Sequence, residues 1–156
     1  MRTGVKAALV ILSALVLALP RPGGAAGSPD QDLVLGIKDG LKTAVLHSSA
    51  PAQGEGAGAA VKLQLQQTIN CLEGPAGLHF RPAVGDLCQG QGHGIIPDLQ
   101  VAASQGIPGA EKALKDVTVA WSLATRAVAM TDVNEAQPWA LVVAKYLRMA
   151  SEDLGR

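Results

Sequence analysis

Seven apolar residues, Ala110, Ala113, Leu114, Val117, Trp121, Ala124 and Val128, recur at steps of three and four. That spacing lines one face of a helix and neither face of a strand, so it demands a partner surface of the same kind. The segment is predicted to run from Pro108, a residue suited to the first helical position, to Met130. Three further segments repeat the pattern. Leu33, Val34, Ile37, Leu41, Ala44 and Val45 form a stripe reaching about His47. It opens on Ser28-Pro29-Asp30-Gln31, which supplies an N-cap, an N1 proline and the glutamine of a capping box. Val61, Leu65, Ile69 and Leu72 mark a second helix over about Ala59 to Leu72. Trp139, Val142, Val143, Tyr146, Leu147 and Ala150 mark a last one, ending near Leu154-Gly155. Thr131-Asp132 precedes it, with Glu135 placed for a second capping box, and Pro138 either kinks this helix near its start or begins it.

Four such segments predict an all-α fold, an antiparallel four-helix-bundle-like domain. A short extra helix is expected from Pro97 to Ser104. Two tryptophans, one tyrosine and one phenylalanine are the only aromatics, and alanine carries much of the apolar content. This composition suits closely packed helices better than a sandwich, which draws on β-branched and aromatic residues. Ser48 to Gly58 lacks an apolar period and reads as a connector. Gly36 and Gly40 lie one turn apart on the first helix, and mark either a close crossing or two tolerated glycines.

The first 26 residues read differently. Arg2 and Lys6 precede an apolar run from Ala7 to Leu19, and Gly24-Ala25-Ala26 offers small residues for cleavage. Charge, apolar run and small residues in that order predict a signal peptide over residues 1–26, with a single helical domain over 27–156 and a periplasmic or secreted location. The apolar run is short for a membrane span, and no span is expected after its removal. Three of the thirteen Lys and Arg lie in this leader, leaving ten against thirteen Asp and Glu. A net charge near −3 with no basic run provides no electrostatic footprint for nucleic acid or anionic lipid.

In an exported chain, Cys71 and Cys88 are expected to form a disulfide. They bracket most of an irregular, glycine-rich strap running from Glu73 to Gly94, and a loop that long needs such a restraint. Its ending, Cys88-Gln-Gly-Gln-Gly-His-Gly, lacks the Lys-Ser/Thr of a phosphate loop and the spacing of a dinucleotide fold. No Gly-x-Ser-x-Gly elbow and no Cys-x-x-Cys-His haem attachment occurs. His47, His79 and His93 are too far apart in sequence to read as paired metal ligands. If the chain binds a small ligand or an ion, the expected place is the strap from Cys88 to Asp98. There His93 supplies an imidazole and Asp98 a carboxylate beside a helix start.

Asn70-Cys71-Leu72-Glu73-Gly74, then Gly77 and Phe80, then Cys88-Gln89-Gly90-Gln91-Gly92-His93-Gly94 resembles a segment of small, uncharacterised exported helical proteins of bacteria. Such proteins often carry histidines on the helix before the first cysteine, where this chain has Gln64, Gln66 and Gln67. The resemblance carries no activity. The function expected is that of an exported, non-catalytic binding or accessory protein for an unknown small ligand or protein partner, without a cofactor and with homo-oligomer formation open. Its alternatives are a metal- or haem-binding periplasmic bundle and an enzyme whose site only the fold assembles.

Overall fold

The computed structural model describes residues 28–50 and 57–154, and all the regular structure in them is helical. Residues 1–27 (the expected leader among them), residues 51–56 of the connector and residues 155–156 lie outside the described residues. Helix α1 spans Pro29–Ser49, α2 Ala57–Glu73, α3 Ile95–Ser104, α4 Ala110–Ala129 and α5 Val133–Asp153, with one 3-10 turn at Pro82–Val84 in the strap. The four long helices form a ring in which α1 packs on α2 and α5, and α4 packs on α5 and α2. The short α3 lies against α4 and α1. No described helix is long and apolar enough to cross a membrane.

Helix α1 starts as its sequence dictates. The Ser28 hydroxyl accepts the Gln31 N–H at 3.3 Å and Gln31 Oε1 accepts the Ser28 N–H at 3.1 Å, so two otherwise orphaned donors are satisfied reciprocally. Two other starts differ from expectation. Helix α3 begins two residues early, at Ile95, because a proline at N3 still falls where an N–H has no helical partner. Helix α4 begins at Ala110 and not at Pro108, because Gly109 takes a left-handed conformation (φ 79°) and turns the chain first. Helix α5 begins at Val133, directly after Asp132, and continues through Pro138, so of the two expected roles the proline does not start the helix.

The buried faces are rotated relative to the apolar stripes. On α4 the fully buried residues are Ala110, Ala113, Val117, Ala120, Ala124 and Ala127, whereas Leu114, Trp121 and Val128 are only partly buried. On α5 they are Ala136, Val143, Ala144, Leu147 and Ala150, with Val142 exposed and Trp139 and Tyr146 at the margin. The α4–α5 pair has the most extensive contact in the bundle. Facing alanines let two helix backbones approach closely, and this displaces the bulkier side chains to the sides of the interface. Trp139 then lies beneath Arg126, whose guanidinium carbon is 5.7 Å from the ring centre, and Trp121 turns toward the strap. The two tryptophans therefore serve different surroundings.

The strap is held on three sides. Cys71 and Cys88 are bonded, with an S–S distance of 2.10 Å and Cα atoms 5.2 Å apart. On α1, Gly36 and Gly40 accept the strap and the start of α3: a Cβ on Gly36 would stand 2.8 Å from the Gln91 carbonyl oxygen, and one on Gly40 would stand 3.0 Å from Ile95 Cγ1. The close crossing at these glycines is thus with the strap and α3. From α2, Gln66 Nε2 donates to the His79 carbonyl at 2.8 Å and Gln67 Nε2 to that of Val84 at 3.1 Å. Asn70, fully buried, donates to the carbonyls of Arg81 and Gly85 and accepts from the N–H of Arg81 and from Gln66. All four of its hydrogen-bonding positions are filled.

Candidate functional site

The end of α2 and the start of α3 meet through backbone. Gly74 (φ 70°) closes α2 by donating to the Asn70 carbonyl at 2.8 Å, and a Cβ there would stand 1.8 Å from the His93 carbonyl oxygen. Only glycine permits that contact. It brings Glu73, the last residue of α2, beside His93, the last strap residue but one before α3. A cleft of about 490 Å³ opens between these segments and α4. Ala76, Ile96, Pro97 and Trp121 form its apolar wall, and Glu73, His93, Gln100 and Thr118 supply its polar groups. A volume in the few-hundred Å³ range, apolar walls and a few convergent polar groups are the features of a small-molecule site.

Two histidine–carboxylate pairs are built into this region. Glu73 Oε1 accepts from Trp121 Nε1 at 2.6 Å and lies 2.8 Å from His79 Nδ1, while Oε2 accepts the His79 backbone N–H at 2.6 Å. The Glu73 side chain is 9% exposed. The His79 ring meets Trp121 edge to face, with centroids 5.5 Å apart. In the second pair, Asp98 Oδ2 accepts the His93 N–H at 2.9 Å and Oδ1 lies 3.2 Å from His93 Nδ1. Asp98 is buried, whereas the His93 side chain is 90% exposed. In a neutral imidazole, a carboxylate at Nδ1 selects the tautomer with the proton there and leaves Nε2 as an acceptor. Each carboxylate therefore holds a ring and a backbone N–H, and His93 presents its ring outward.

The site residues expected from sequence have these places. His93 lines the cleft, Asp98 orients it from beneath, and Cys71–Cys88 ties the strap that carries it. His47 stands in the last turn of α1, away from this cleft. Among the described residues no three His, Cys, Asp or Glu side chains are grouped so as to hold a metal ion. Sequence reasoning missed Glu73, His79 and Trp121 as a unit. Glu73 ends α2 and His79 follows six residues later in the strap, and Trp121 joins them from 48 positions beyond Glu73. The one signal in the chain was that the indole of Trp121 carries an N–H that needs a partner when buried.

A second acidic pair lies where α4 begins and α5 ends. Asp153, buried at the end of α5, receives Lys112 Nζ at 2.7 Å. Beside it, Asp116 has its carboxyl pushed up from the ordinary value, first by burial and then by hydrogen bonding to and repulsion from Asp153, with Lys112 opposing. It is a structural cluster, and none of its three residues lines the cleft. No family model matches this chain, and no curated protein or solved structure matches it either.

Proposed function

We propose that this chain is an exported, non-catalytic binding protein whose small ligand occupies the cleft between the strap, α3 and α4. The observation that carries the reading is the pairing of a preformed apolar cleft with polar groups already fixed in place. Glu73 is held by His79 and Trp121, and His93 is held by Asp98. A ligand then meets groups whose ordering cost is met by the fold, which favours affinity. The disulfide is consistent with an oxidising compartment, and with it with export.

One observation favours a metal-binding variant of this reading. His93 has a carboxylate on Nδ1 and an exposed Nε2, the arrangement that orients metal-ligating histidines. A tight site takes three or four ligands, so a single histidine favours the small-ligand reading. The test is native mass spectrometry with metal analysis on protein taken from its own compartment without reductant. A bound small molecule retained by the wild type and lost in His93→Ala and Trp121→Leu supports the proposal. A bound ion lost in His93→Ala favours the metal variant. A homo-oligomer without ligand, unchanged by either substitution, overturns both.

A further inference from the structure

The charge around the cleft suggests which class of ligand it takes. Glu73 brings a carboxylate to the cleft, and Asp98 lies behind His93. No lysine or arginine is among the described residues that line it. On the same elements, Arg81 donates to the carbonyls of Leu78 and Phe80, and Lys115 lines a separate hollow with Ala103 and Gly106. The donors that hold Glu73 are an indole N–H, a backbone N–H and an imidazole. With His79 in its neutral form, these stabilise the carboxylate without cancelling its charge. Oε2 accepts one of these bonds, and a carboxylate oxygen has room for a second donor. Beside it stands the Trp121 ring, whose face attracts cations.

We infer that the cleft binds a small organic ammonium compound, with the charged nitrogen toward Glu73 and Trp121 and an apolar body against Ile96 and Pro97. This rests on the cleft being the ligand site. A largely buried carboxylate beside an apolar wall is stabilised by a counter-charge more strongly than one in open solvent. The same geometry rejects anions by repulsion and leaves neutral molecules to the apolar contacts alone.

Three probes of matched shape separate these contributions: phenethylammonium, phenethyl alcohol and phenylacetate. Binding is followed at pH 8.5 by the NMR shift of the Trp121 indole N–H, in full-length oxidised protein carrying Trp139→Phe so that one indole reports. The ammonium is expected to bind about tenfold tighter than the alcohol, with the carboxylate weakest, because one partly screened charge pair supplies a difference of that order. Gln100→Lys places a cation at the exposed rim of the cleft without touching the core. It should erase the preference for the ammonium and raise binding of phenylacetate. If all three probes shift the indole signal with similar affinities, or if Gln100→Lys leaves the order unchanged, the charge argument is overturned while the cleft stands. If none shifts the signal, the cleft itself fails as the ligand site and the inference falls with it.

Discussion

Replacing Asn70 tests the claim that one buried side chain organises the strap. Asn70→Ala removes two donors and one acceptor, and with them bonds of 2.8 to 3.2 Å to Gly85, Arg81 and Gln66. A net value of about 1 kcal/mol per hydrogen bond gives about 4 kcal/mol for the four. Water reaching the backbone of the exposed 81–85 segment lowers this, so a loss of about 2–4 kcal/mol is expected. Against the 5–15 kcal/mol typical of a whole domain, that is large. Asn70→Asp sharpens the test. It keeps the acceptor for Arg81 and Gln66 but turns a carboxylate oxygen toward the carbonyls of Arg81 and Gly85. At neutral pH it should therefore cost more than alanine. Urea unfolding of the oxidised protein, followed by circular dichroism, measures both. A cost below about 1 kcal/mol for Asn70→Ala, or an aspartate tolerated better than alanine, would refute the account.

Thiol counting on protein isolated without reductant should find none free, and reduction of Cys71–Cys88 should lower stability by about 3 kcal/mol for a loop of this size. Gly74→Ala should destabilise by more than 2 kcal/mol or so and weaken the cleft together with the fold, because its Cβ would press on the His93 carbonyl at a backbone angle that alanine avoids; near-neutral unfolding data would contradict this. Asp116 has a folded-state pKa above its ordinary 3.8, so the native state holds its proton more tightly than the unfolded chain does. Wild-type stability should accordingly fall as pH rises from about 4 through that raised value. Asp116→Asn should be the more stable protein at neutral pH, with an advantage that vanishes near pH 4. Denaturation series of both proteins across pH 4 to 8 would show parallel curves if this is mistaken.

Much of the architecture is legible in the chain because it rests on local chemistry. Ser28 and Gln31 cap α1 through atoms three residues apart, and a period of 3.6 gives each long helix an apolar side whatever it packs on. The cysteine pair offers a single intramolecular bridge, and His93 stands five residues from the Asp98 that holds it. What the period leaves open is which side of a stripe faces inward. Tertiary packing decided that, by bringing the alanines of α4 and α5 face to face and moving Trp121 to the edge. Once there, its indole N–H needed an acceptor, and Glu73 came within reach only because Gly74 and the disulfide fold the strap back over α2. Likewise the glutamines of α2 carry no sign in sequence that their partners are the carbonyls of His79 and Val84. Local spacing encodes helices and caps through contacts within a turn or two. The cleft is made of contacts between segments dozens of residues apart, and only the closed bundle sets those distances.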